Sequence, residues 1–81
     1  MGSRAHWRDR SGRLELVFEM RVIGEIACDD NTGVWYWRVC PGRQPLAVGP
    51  VECGSSRSLA IARASVRAKL RAAGRRRRAR G

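Results

Sequence analysis

From Arg13 to Asp29 apolar and polar residues alternate along the chain. The even positions are Leu14, Leu16, Phe18, Met20, Val22, Gly24, Ile26 and Cys28, while Arg13, Glu15, Glu19, Arg21, Glu25 and Asp29 fall on odd ones. A period of two puts alternate side chains on opposite faces of an extended chain, so this stretch predicts a half-buried β-strand. It is long for one strand. Gly24 stands where such a strand would bend or bulge, and the reading is one bent strand rather than a hairpin broken near Ile23-Gly24. Asp29-Asp30-Asn31-Thr32-Gly33 follows as a turn, because Asp and Asn bond their own backbone and Gly accepts positive φ. Val34 to Cys40 is β-branched and aromatic and reads as a second strand. Pro41-Gly42 ends it. Leu46 to Cys53 reads as a third strand, either at an edge or interrupted at Pro50, which cannot donate to a ladder.

The period then changes to that of a helix. Gly54-Ser55-Ser56 opens it, with Ser55 or Ser56 as the cap. Leu59, Ala62, Val66, Leu70 and Ala73 share one face, which would pack on the sheet. Gly74 is placed to close the helix as a C-cap. The predicted fold is α+β: a three-stranded antiparallel β-meander with one C-terminal α-helix on one face and a basic disordered tail. Residues 1–12 read as a flexible N-terminus, 13–74 as the single β-β-β-α domain and 75–81 as the Arg-rich tail.

Charge is distributed very unevenly over this frame. Residues 1–53 hold seven Arg and seven carboxylates and sum to zero, while residues 54–81 hold nine Arg, Lys69 and no acid. The last third therefore carries the whole net charge of +10. Arg63, Arg67, Arg71 and Arg75 recur every four residues, which winds a cationic stripe along the helix. An acid-free segment of this density attracts polyanions, since no carboxylate cancels its field. The candidate contacts to nucleic acid or to an acidic protein surface are Arg57, Arg63, Arg67, Lys69, Arg71, Arg75, Arg76, Arg77, Arg78 and Arg80. Arg presents a planar fork that grips phosphate bidentately.

The run from Asp29 to Leu70 resembles, in its pattern, the HicB-like antitoxin fold. The matching pieces are Asp29-Asp30-Asn31-Thr32-Gly33, Val34-Trp35-Tyr36-Trp37-Arg38-Val39, Pro41-Gly42, Ala47-Val48-Gly49 and Ser58-Leu59-Ala60-Ile61-Ala62. It departs from that family in having a basic helix and only an Arg tail after it. The same segment is similar to the C-terminal half of a double-stranded-RNA-binding domain, although Ser56-Arg57-Ser58-Leu59-Ala60 replaces the usual basic start of that helix. Both resemblances imply a β-β-β-α module.

Two functions from different classes follow. The first is a small nucleic-acid-binding accessory protein, DNA or RNA, that contacts the phosphate backbone with little sequence preference. The second is a protein-binding inhibitor or antitoxin of a phage or mobile element, of the anti-CRISPR style, docking on a host protein. Trp35, Tyr36, Trp37 and Arg38 are candidates for stacking or contact. On a strand Trp35 and Trp37 share a face and Tyr36 joins Arg38 on the other. A mixed-charge sheet face beside an edge strand also offers a route to a homodimer by strand addition. There is no Ser-His-Asp set, Gly-rich phosphate loop or HExxH, so no enzyme and no cofactor are expected. Cys28, Cys40 and Cys53 lack paired C-x-x-C spacing; they read as three small buried apolar side chains rather than metal ligands. No apolar run approaches the roughly 20 residues of a membrane span, and a cytoplasmic protein is expected.

Overall fold

The computed structural model describes residues 4–80, with side chains described as far as Arg75. Five strands, not three, build one antiparallel sheet in the order β1-β2-β3-β4-β5: His6–Arg10, Arg13–Phe18, Arg21–Cys28, Trp35–Val39 and Glu52–Ser56. A helix, α1, spans Leu59–Arg80 and lies across β3, β4 and β5. The architecture is thus α+β with the helix on one face, as the periodicity implies.

The two extra strands have physical causes. His6–Arg10 pairs with β2 from His6↔Val17 to Arg10↔Arg13, so what reads as a loose N-terminus is an edge strand. Only Trp7 on it is half-buried, so the segment shows no alternation that a sequence could reveal. Ser11 and Gly12 both adopt positive φ, as a two-residue hairpin turn requires. The long stretch from Arg13 to Cys28 is a hairpin and not one bent strand. Its turn is Glu19-Met20, at φ 50° and 65°.

That turn escapes the sequence because two phase shifts cancel. Up to Phe18 the even residues face the helix. Phe18 pairs with Arg21 and Val17 with Val22, which moves the inward set to odd positions. The register then slips by one between Leu16 and Val17, a bulge that leaves Ile23 as the extra residue of β3. Beyond it Gly24 and Ile26 face inward again. Ile23 is fully buried in the core, while Val22 lies on the opposite side of the sheet beside Leu46. The apparent alternation is continuous across a turn and a bulge that each invert it.

The predicted third strand is displaced. Leu46 to Val48 form a turn, with Val48 and Gly49 N–H donating to the Pro45 carbonyl at 2.9 and 3.0 Å. Pro45 and Pro50 both lack the N–H that a ladder position would use. The Leu46 N–H bonds the Val22 carbonyl at 3.0 Å instead, which lays this loop over the sheet's outer face. The fifth strand forms downstream, and Gly54 explains where. A Cβ at Gly54 would stand 2.5 Å from the Trp37 ring. Only glycine lets that indole lie flat across β5.

The helix begins later than expected. Ser58, not Ser55 or Ser56, is the cap: its Oγ accepts the Ile61 N–H at 3.2 Å. Gly74 lies inside the helix, which continues to Arg80, so it is no C-cap. The expected disorder of the basic tail concerns side chains that, from Arg76 onward, lie outside the described residues. The core joins Leu16, Ile23, Ile26, Trp37 and Val39 of the sheet to Ala62, Val66 and Leu70 of the helix. Those last three are the inward positions that the helical spacing predicts, with Leu59 partly buried beside them.

Candidate nucleic-acid interface

The helix divides its cations between two flanks. On the β5 side Lys69 Nζ meets Glu52 Oε1 at 2.9 Å, so this cation is neutralised by the sheet. On the β1–β2 side the stripe Arg63, Arg67, Arg71, Arg75 advances about 40° around the axis every four residues, because four residues exceed one turn of 3.6. Arg63 is the innermost and only half-exposed. Its guanidinium carbon lies 5.7 Å from the centroid of the Trp7 ring, and its Nε is buried with no hydrogen-bond partner. Arg67, Arg71 and Arg75 point progressively outward and are exposed. Ala60 and Ala64 lie between them and leave a shallow groove lined by Arg63, Arg67 and Arg71.

A further arginine joins from a distant part of the chain. Arg43, in the loop after β4, lines a cleft with Leu70, Arg71, Gly74 and Arg75. Its guanidinium carbon stands 5.5 Å from the Phe18 centroid. Among the described residues no carboxylate forms an ion pair with Arg43, Arg63, Arg67, Arg71 or Arg75. The flank therefore presents five unneutralised guanidiniums, two of them placed over aromatic rings. Arg43 and Arg63 lie against apolar rings, while Arg67, Arg71 and Arg75 are exposed to solvent.

The opposite face of the sheet is built on another rule. Arg8, Glu15, Glu25 and Arg38 occupy one cross-strand row, in register from β1 to β4. Arg8 bonds Glu15 at 2.7 Å. Arg38 Nε donates to Glu25 at 2.9 Å and Arg13 adds a contact to the same carboxylate at 3.4 Å. The carboxylates face each other across β2 and β3, and arginines flank them on both sides. Tyr36 stands exposed in the next row.

The predicted contacts are thus redistributed. Arg63, Arg67, Arg71 and Arg75 come together as expected. Arg57 is exposed just before the helix and lies in a separate hollow with Ser55 and Ile61. Lys69 is held by Glu52. The side chains of Arg76, Arg77, Arg78 and Arg80 lie outside the described residues. Trp37 is buried at 7% exposure and Trp35 packs half-buried against the core, so neither offers a free ring for stacking. Tyr36 and Arg38 do face solvent, but on the far side of the sheet from the stripe. Cys40 is buried and Cys28 half-buried, whereas Cys53 is exposed on β5 and does not belong to the core. Arg43 and Trp7 are the residues a linear reading misses. They reach the flank only through β-pairing and a loop return, which leave no trace at helical or strand spacing. Comparison with protein-family models, with curated proteins and with solved structures gives no match. No helix among the described residues is long and apolar enough to cross a membrane.

Proposed function

We propose that this chain is a nucleic-acid-binding protein, without catalytic activity, that holds phosphates along the β1–β2 flank of its helix. One observation carries the reading: Arg43, Arg63, Arg67, Arg71 and Arg75 share that flank, and among the described residues no carboxylate is paired to any of them. A solvated helix surface normally intersperses both signs, and like charges at this spacing weaken the helix. A polyanion resolves both points. Phosphate contacts fix a strand's position and carry no base information, so sequence preference is small. With roughly six cations engaged, log K falls with log salt at a slope of about −5 on duplex DNA. A gel-shift series on generic DNA and RNA across salt concentrations tests this. A flat salt dependence, or no shift at low salt, rejects it.

A second reading rests on the outer sheet face, which carries no helix and leaves Tyr36 at 50% exposure. It is the protein-docking inhibitor or antitoxin of a mobile element. Its mark is a stoichiometric protein partner that survives nuclease and moderate salt, is lost in Tyr36→Ala, and is retained in Arg67→Glu.

A further inference from the structure

Four non-glycine residues of the described chain adopt a left-handed backbone: Ser11, Glu19, Met20 and Arg43. Three of them sit in two-residue hairpin turns, whose twist demands positive φ. Arg43 does not. At φ 58° it holds an unfavourable conformation in a loop that already has Gly42 beside it. The Arg43 N–H closes a turn on the Cys40 carbonyl at 2.9 Å, and its side chain lies over Phe18 and into the cleft with Arg71 and Arg75. Backbone strain at a residue that points a charge into a cleft is an observation from which function can be argued.

Gly74 faces the same cleft. Glycine inside an exposed helix weakens it relative to alanine. Nothing in the packing asks for glycine here, since a Cβ at this position would meet no atom within 4 Å. The space it leaves open is the floor of the cleft, between the two helical arginines. Leu70, buried in the core, closes the inner wall.

We infer that Arg43, Arg71 and Arg75 form a discrete site for one phosphate group of a nucleic-acid strand, with Gly74 keeping its floor open. The inference rests on the nucleic-acid reading and sharpens it, because a single site converts a diffuse cationic flank into one with a fixed register. Three arginines from two separate elements line one cleft, and a guanidinium offers an anion a fork of N–H donors. The stripe beyond, through Arg67 and Arg63, then follows the neighbouring phosphates.

The test compares Arg43→Gln with Arg21→Gln. Both remove one positive charge, but Arg21, the β3 partner of Phe18, has its guanidinium 3.9 Å from Glu19 and does not line the cleft. Arg43→Gln should weaken oligonucleotide binding about tenfold and reduce the salt slope by about one, as losing a phosphate contact does. Arg21→Gln should leave both nearly unchanged. Gly74→Ala supplies a variant that folds at least as well as the parent: its melting temperature should hold or rise, while affinity falls several-fold. Inorganic phosphate, titrated into the full chain, should shift the amide resonances of Arg43 and residues 71–75 ahead of those at the start of the helix. Oligonucleotides with and without a 5′-phosphate separate a terminal monoester, preferred in the first case, from an internal diester, bound equally in both. If salt-steep binding persists while Arg43→Gln behaves as Arg21→Gln does, the site is overturned and the broader reading stands. If oligonucleotides fail to bind but phosphate still shifts Arg43 and Gly74, the nucleic-acid reading falls and the anion site survives. Equal shifts along the whole helix overturn the site.

Discussion

The outer sheet face and the β1–β2 flank of the helix are both studded with arginine, yet their arginines do different things. On the sheet, antiparallel register sets Arg8 opposite Glu15 and Glu25 opposite Arg38. Arg8, Arg13 and Arg38 each have a carboxylate within reach, while Arg10 stands opposite Arg13 at the edge of the face. On the helix, spacing by four sets Arg above Arg, and none of the four has an ion pair among the described residues. Three such steps from Arg63 to Arg75 cost the isolated helix about 0.2–0.5 kcal/mol each. The burial of Leu59, Ala62, Val66 and Leu70 offsets this easily, since each large apolar side chain contributes about 1.5–3 kcal/mol. The contrast shows that the number of cations says little about function. What distinguishes the two regions is whether the fold provides each cation with a partner.

Trp37 supports both regions, so its removal should have the largest effect. It lies between the sheet and the helix with 7% of its surface exposed. Trp37→Ala should lower stability by about 3–5 kcal/mol through loss of burial and the cavity left behind. The outer ladder and the helix flank should fail together, which a thermal melt and a gel shift on the same sample would show. Retained nucleic-acid binding in a Trp37→Ala protein without a folding transition would mean that the flank needs no scaffold. The cationic segment would then act as an unstructured arm, and the comparison between two built surfaces would be void.

How much of this was legible along the chain depended on the range of the cause. The helix face from Leu59 to Leu70 was readable because one period governs it and one surface receives it. The pairing of Trp35 with Trp37 and of Tyr36 with Arg38 was readable for the same reason. The hairpin at Glu19-Met20 was hidden, since neither residue is a usual turn former and the bulge at Ile23 restores the phase that the turn inverts. The edge strand at His6–Arg10 was hidden because an edge needs few apolar residues. Strand β5 was misplaced because its reason is a contact: Gly54 admits the ring of Trp37, a residue of the neighbouring strand far back along the chain. Within the site, the stripe was visible and its neighbours were not. Trp7 and Arg43 meet the helix only after three-dimensional folding. Lys69, counted with the stripe by composition, is turned to Glu52 by the same folding.

Reversing charge on the flank sharpens the comparison next. Arg67→Glu with Arg71→Glu should weaken nucleic-acid binding by at least about a hundredfold at low salt and flatten the salt slope by two or more. Both side chains are exposed, so the melting temperature should hold, or rise slightly as like-charge repulsion along the helix is relieved. Reversal at Glu15, in the outer ladder, should leave binding in place. If the helix reversal spares binding and the Glu15 reversal destroys it, the assignment of the two faces is inverted.

Gly54→Ala comes third. Its Cβ would approach the Trp37 ring to 2.5 Å, so either the indole or β5 must move. Overpacking of this kind costs about 1–3 kcal/mol. The displacement falls on the β5 side, where Lys69 meets Glu52. The opposite flank, with Arg43 and Arg71, should keep most of its affinity at a temperature where the variant is folded. Urea melts and salt-dependent binding of one preparation would separate the two effects. A parent-like stability would show that the Trp37 ring does not rest on β5.

The smallest effect should come from Glu25→Gln, at the centre of the outer ladder. Glu25 accepts from Arg38 at 2.9 Å and from Arg13 at 3.4 Å, while Glu15 faces it across the strand pair. Neutralising it removes two ion pairs and one repulsion. The arginines are about half exposed, so each pair is screened by water and contributes only tenths of a kcal/mol. The relieved repulsion between Glu15 and Glu25 offsets part of that. The net loss should stay below about 1 kcal/mol at low salt. It should shrink further toward 1 M salt, where the screening length falls to about 3 Å. Binding to nucleic acid should not weaken, because the variant becomes more positive by one charge and the changed residue lies on the face away from the stripe. A loss of binding with the fold intact would place the outer face inside the interface. The separation between a paired, structural set of arginines and an unpaired, functional one would then fail at its most direct test.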